Sequence, residues 1–306
     1  MTFLNENDAL EIKINTCWDS VDKFIVLESN QTHTGDPKPY NLDVARFSKY
    51  KEKFNYFQMG SIDDAISSHP EMIGRRFSTM HASNPNETAA DWVRDAFQAA
   101  FISPIIMQQG ASDDDLILAQ CCDEIVSPEA IDEARKLFVD KGKLPYFTAA
   151  HEHVLRSIPC QIEELGDAID PIFGFEFLNY YYKVNMQNPH YRTIRQSLIT
   201  TFRNLKLLNA AELRHFSIHT HPPIQNAGWH FGFLDAGDGL MALEKYKSWA
   251  HSRDINTNHY GTVNTKEEAV ARLLEVCHLE KVSISYETHP KYLMDNLDKY
   301  RHIIQD

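Results

Sequence analysis

Asp115-Leu116-Ile117-Leu118-Ala119-Gln120-Cys121-Cys122-Asp123-Glu124-Ile125-Val126-Ser127-Pro128 joins an apolar run to a pair of acids and then to a helix start. A short continuous apolar run reads as a strand buried on both faces, here over 116–122. In a parallel α/β sheet the carboxyl ends of the strands face the ligand crevice. Carboxylates at that edge can hold a hard divalent cation, Mg²⁺ or Mn²⁺, which in turn grips the phosphates of a nucleotide. Side chains two apart on a strand share a face, so Cys121 and Asp123 are expected to look one way and Glu124 another. An acidic strand-to-helix turn that binds nothing fits the same residues, and this segment alone does not decide between the two.

The elements that would position these acids alternate. A short strand at 2–5 leads into a helix at 6–18, and Val21 to Glu28 reads as a buried strand. A loop of turn formers, Ser29 to Pro39, precedes a helix at 41–52 and a strand at 54–59. Asn84-Pro85-Asn86-Glu87 combines a capping Asn, a first-turn Pro and a capping-box Glu. In the helix after it, Trp92, Val93, Ala96, Phe97, Ala100 and Phe101 form one apolar stripe. Ser127-Pro128 starts a further helix that Gly142 ends. Strands alternating with helices predict a parallel α/β sheet. Beyond 145 the pattern loosens. Phe173 to Val184 is aromatic and strand-like, Gly228 to Leu234 is a short strand, and helical stretches fall at 239–250, 265–277 and 290–302. With no repeat, low-complexity tract or Gly/Ser linker, one domain over 1–306 is expected, residues 1–145 as scaffold and 146–306 as substrate surface.

Composition narrows the partners. The 306 residues are 43% apolar and 24% charged, with 30 Lys and Arg against 43 Asp and Glu, a net charge of -13. Such a chain lacks the basic stripe that a nucleic-acid polymer requires. The five cysteines are odd in number and form no CxxC pair, so they read as reduced thiols. The opening, MTFLNENDALEIK, shows no signal peptide, and the most apolar run, Phe97 to Met107, is about half a membrane span. The expectation is a cytoplasmic protein without membrane insertion.

The acidic segment resembles the Asp-x-Asp-Glu-Ile-Pro signature of glycosyltransferase family 17, the β-1,4-mannosyl-glycoprotein 4-β-N-acetylglucosaminyltransferase family. Phe3-Leu4-Asn5-Glu6, Leu10-Glu11-Ile12 and Val21 to Ser29 resemble its opening block. Thr32-His33-Thr34-Gly35-Asp36-Pro37-Lys38-Pro39 is similar to its Thr-Phe-Ser-Gly-x-Pro-Lys-Pro loop. Arg94 falls on an arginine of the family, Ala227-Gly228-Trp229-His230-Phe231 on its Ala-Gly-Trp-His-Phe motif, and Lys245 and His251 on a Lys and a His that follow. The resemblance implies a GT-A (Rossmann-like) glycosyltransferase fold, α/β with a mostly parallel central sheet flanked by helices. It implies inverting transfer of N-acetylglucosamine from UDP-N-acetylglucosamine, a UDP-sugar donor, to a glycan acceptor. Asn5, Glu28, Arg94 and Cys121 would line the nucleotide-sugar pocket, and Asp123 with His251 would hold the divalent cation (Mn²⁺ or Mg²⁺). Trp229 and His230 would form a sugar wall. Inversion also needs a base for the acceptor hydroxyl, with Glu124, Glu176 and Asp235 as candidates.

Two departures stand out: the first Asp of the signature is Cys121 and its Pro is Val126. A thiol is a poor ligand for Mg²⁺, which leaves open a catalytically degenerate module that binds carbohydrate or a partner protein. His215, His219 and His221 have spacing that could chelate zinc, but no carboxylate or Cys supports them. A glycoside hydrolase ranks last, because adjacent Asp123 and Glu124 would diverge rather than flank one bond.

Overall fold

In the computed structural model, residues 1–72, 89–140, 170–208, 210, 213, 223–250 and 263–306 are described. The chain opens with the predicted alternation: β1 (Thr2–Phe3), α1 (Asn7–Cys17), β2 (Phe24–Ser29), α2 (Val44–Phe47), β3 (Phe54–Met59) and α3 (Ile62–Ser68). β1, β2 and β3 form a parallel three-stranded sheet, with Phe24 to Ser29 in register against Phe54 to Met59. Parallel neighbours need a crossover between them, and α1 and α2 lie in those crossovers. The helix predicted at 41–52 is shorter. Asp43 accepts from the Arg46 amide as an N-cap, and the chain tightens into a 3₁₀ turn at Ser48–Tyr50.

Next come α4 (Ala89–Ala100), α5 (Ile102–Gln108), β4 (Leu116–Ala119), β5 (Glu124–Val126) and α6 (Pro128–Asp140). The second half supplies β6 (Phe173–Tyr181), β7 (Met186–Gln187), β8 (Thr193–Thr201), α7 (Phe202–Leu207), β9 (Gly228–Gly232), α8 (Leu240–Ser248), α9 (Lys266–Cys277), β10 (Glu280–Lys281) and α10 (Lys291–Asp295). The helix start at Asn84–Glu87 and the helix end at Gly142 lie outside the described residues.

The expectation of one mostly parallel central sheet needs correcting. Besides the small parallel sheet there is a seven-stranded one, ordered β10-β7-β6-β8-β4, with β9 beside β6 and β5 beside β9. Among the described residues, the one parallel strand pair in it is β6 with β9. The reason is connection length. β6 returns to β8 through a short excursion, too short for a helical crossover, so the two pair antiparallel. The strand expected over 116–122 also stops at Ala119, runs antiparallel to β8, and gives way to a turn before β5.

The largest apolar core draws on both halves of the chain, from Phe3 and Leu10 through Ile125 and Phe175 to Tyr300 and Ile303. α1 runs through it and is buried on nearly every side, including its charged Glu11 and Lys13. The Glu11 carboxylate meets Arg46 at 2.5 Å, Lys49 at 2.9 Å and Lys299 at 2.6 Å. Three cations and full burial make this a desolvated cluster rather than a surface pair. Among the described residues, no helix is long and apolar enough to cross a membrane.

Candidate functional site

Three elements pin the acidic turn. The Glu124 carboxylate, fully buried, accepts from the Cys121 amide at 2.9 Å and from the Ser197 hydroxyl of β8 at 2.5 Å. The Cys121 carbonyl accepts from the Lys13 ammonium of α1. Burial pushes Lys13 below the ordinary lysine range, against the pull of Cys122 and Glu124. Fixed in this way, the turn gathers Cys121 Sγ and carboxylate oxygens of Asp123 and Glu124 within 4.8 Å of one another. The sharing of a face expected for Cys121 and Asp123 on a strand is thus achieved by a turn.

Asp123 faces a cation. Its Oδ2 accepts from Lys245 Nζ at 2.7 Å and lies 3.9 Å from His230 Nε2. Lys245 also reaches Glu6 Oε1 at 3.5 Å. Burial alone would push the Asp123 carboxyl up, but the charges of Lys245 and His230 hold it well below the usual carboxylate range. For Lys245, burial works downward, and Asp123 and Glu6 more than reverse it. His230 Nδ1 pairs with Asn179 Oδ1 at 2.8 Å. With the amide oxygen as acceptor, Nδ1 carries the proton and Nε2 is turned toward Asp123.

α8 gathers the rest. Asp235, fully buried, accepts from the amides of Gly237, Gly239, Met241 and Ala242 and so caps this helix. Along α8, Glu244 accepts from Asn5 Nδ2 at 2.8 Å, Lys245 meets Asp123, and the Lys247 and Ser248 carbonyls accept from Thr34 Oγ1 and the His33 amide. Behind that loop stands Arg94. Its guanidinium clamps Asp63 at 2.8 and 3.2 Å and donates to the His33 carbonyl at 3.1 Å. Gly35, at φ +96, lets the loop lie on the Arg94 guanidinium, which a Cβ would approach to 3.1 Å.

Asn5, Cys121, Asp123 and His230 therefore come together, and Arg94 is linked to them through the 33–34 loop and the end of α8. Glu28 has another task. Its buried carboxylate accepts from Lys38, the Asn41 and Leu42 amides and the Tyr56 hydroxyl, holding the 38–42 loop onto β2. Trp229 and His230 do not form one wall. Neighbours on a strand alternate faces, and while His230 looks to Asp123, the Trp229 indole N–H donates to the Thr288 carbonyl.

Of the base candidates, Glu124 and Asp235 are buried and occupied as described. Glu176 is ion-paired with Arg195 at 3.2 Å on the strand, with a register shift beside it. His251, His215, His219 and His221 lie outside the described residues. The residue left without a role by sequence reasoning is Lys245. Its signal was a lysine three and four places after Ala242 and Met241, on the buried stripe of α8.

A lysine ammonium beside Asp123 shows that the position takes a cation. Asp123 and the Cys121 sulfur would hold a divalent ion there. That set is thin, since the Glu124 carboxylate is committed to the turn and a hard ion prefers oxygen.

A mixed α/β fold that presents an acidic turn at the ends of buried strands is the class this structure defines. Residues 1–137 match the family model of glycosyltransferase family 17. No curated protein and no solved structure matches the chain.

Proposed function

We propose that this chain is an inverting glycosyltransferase on a GT-A-type scaffold. It would transfer N-acetylglucosamine from UDP-N-acetylglucosamine to a glycan acceptor. The observation that carries the reading is Asp123, a buried carboxylate held ionised on a pinned turn, within a stretch matching the glycosyltransferase family model. An ionised acid in a low-dielectric site is worth far more to a cation than one in water. When bound, a divalent ion supplies Lewis-acid neutralisation of charge on the departing diphosphate.

The chain's own groups would do the rest. Asn5, at the end of β1 and tied to α8, would meet the nucleotide. Arg94 would fix the 32–36 loop over the donor rather than touch the phosphates, because its guanidinium is engaged with Asp63 and the His33 carbonyl. His230 Nε2, beside Asp123, would contact the transferred sugar.

The test is UDP release and transfer by the full chain, with a panel of UDP-sugars, Mn²⁺ and a glycan array. UDP-N-acetylglucosamine is expected to be the preferred donor, and Asp123→Asn to lower turnover at least ~100-fold, the scale seen when one group stabilising developing charge is removed. Folded wild-type protein that neither hydrolyses nor transfers any donor would refute the proposal.

A further inference from the structure

We propose that Lys245 is a tethered counter-ion that exchanges partners. It pairs with Asp123 when the site is empty and with the donor's diphosphate once a divalent ion takes Asp123, so that cation and nucleotide bind together or weakly. The inference rests on the donor reading above and deepens it.

Three observations lead there. First, the ammonium sits where a metal bound to Asp123 would sit: Nζ is 2.7 Å from Asp123 Oδ2 and 3.5 Å from Glu6 Oε1. Two cations cannot share that carboxylate at such a distance without strong repulsion. A metal entering alone must therefore displace the ammonium, and a carboxylate with one thiol gives it little in exchange. Secondly, the lysine is placed to move. Its side chain is 15% exposed, so it is not wholly sealed within the core. A compact ammonium on a flexible four-carbon stem can swing about a fixed Cα, which a planar guanidinium in a fork does less readily. Thirdly, its helix is anchored independently of the lysine, by Asp235 at one end and by the His33 and Thr34 contacts at the other. The head can change partner without α8 letting go.

The consequence is a coupling. If Lys245 occupies Asp123 in the empty site, the metal's affinity is lowered by that competition. A diphosphate that draws the ammonium away restores it, and by linkage the metal must raise nucleotide affinity by the same factor.

Calorimetry with the full chain tests this using Mn²⁺ alone, UDP alone, and each in the presence of the other. In the wild type each is expected to bind weakly alone and at least ~10-fold more tightly in the presence of the other. Lys245→Met should bind Mn²⁺ alone at least ~5-fold more tightly than wild type, and UDP more weakly, with the coupling factor reduced to the part that the ion and the diphosphate supply between themselves. Lys245→Arg keeps the charge and should keep Mn²⁺ alone weak. Because Lys245→Met leaves Asp123 buried without its ammonium, the melting temperature is followed as well. Mn²⁺ should raise it more in this variant than in wild type, since a ligand stabilises in proportion to its occupancy. Unchanged Mn²⁺ affinity in Lys245→Met, or an unchanged coupling factor, overturns the exchange. If no UDP binds to any variant, the donor reading fails and the diphosphate half of the exchange with it. The Mn²⁺-alone comparison still decides whether Lys245 competes for Asp123.

Discussion

Glu11 offers the most quantitative check on how the scaffold is held. Its carboxyl is driven from 4.5 to about 2: burial opposes this, and hydrogen bonds from Lys299, Lys49 and Arg46 overcome it. A difference of roughly 2.5 units at ~1.4 kcal/mol each gives about 3.5 kcal/mol in favour of the folded state at neutral pH. Lys49 and Lys299 extend partly into water, so screening lowers this to about 2–3 kcal/mol. The sign follows from a depressed folded value. The stabilisation is complete above 4.5 and is lost as pH falls through about 2. Glu11→Gln should therefore cost about 2–3 kcal/mol in urea unfolding at pH 7, and the gap from wild type should shrink to roughly 1 kcal/mol at pH 3, where much of the wild-type advantage is gone. Circular dichroism at the two pH values reads both numbers. A gap independent of pH would show that Glu11 contributes by packing and not by charge, and would refute the reasoning.

Two further substitutions test the geometry around the turn. At Gly228 (φ +139) an added Cβ would come within 2.0 Å of the Ile125 carbonyl oxygen, so Gly228→Ala must part β9 from β5. A loss of ~3 kcal/mol or more, seen as a fall in melting temperature of at least about 6 °C, is expected, and an unchanged melt would contradict the register. Asp235→Ala removes the acceptor for four amides at the head of α8. It should cost ~2–4 kcal/mol and speed hydrogen exchange at Met241 and Ala242, with UDP binding weakened because α8 carries Lys245.

The first half of the fold was legible because its signals are local. β3 falls on the predicted 54–59, and β2 overlaps the expected Val21–Glu28 strand around its apolar centre Phe24–Leu27, since strands buried on both faces leave that mark. β8 left no such mark. Thr193, Arg195, Gln196, Ser197, Thr200 and Thr201 break up any apolar run, and the strand exists because β6 and β4 flank it and bury its second half. Register has the same non-local origin, so antiparallel pairing could not be read from composition. Cys121, Asp123, Asn5 and His230, candidates from the sequence, lie near one another in the fold. At Glu28 a buried acid looks the same in sequence whether it binds a ligand or, as here, three groups of the 38–42 loop and the Tyr56 hydroxyl of β3. Lys13 and Lys245 went unassigned because a lone lysine on an apolar stripe declares burial but not its partner.

Those two lysines explain how so acidic a chain can build an acidic turn at all. Around residues 121–124, the carboxylates Asp123, Glu124 and Glu6 face the ammonium groups of Lys13 and Lys245. Asp123 is buried and answered by Lys245 and His230, while Glu124 is buried and held by the Cys121 amide and the Ser197 hydroxyl, so the turn has little charge to spare. Lys13 cannot help further, since it is fully buried and committed to the Cys121 carbonyl. On the proposed exchange, a diphosphate arriving alone would bring negative charge toward buried carboxylates, and a divalent ion arriving alone would have to push Lys245 aside. In that exchange the two arrive as a nearly neutral pair, the ion facing Asp123 and the diphosphate giving Lys245 a new partner. The departure from the family signature therefore fits the same arithmetic: with Cys121 in place of a second aspartate, the empty turn carries one negative charge fewer.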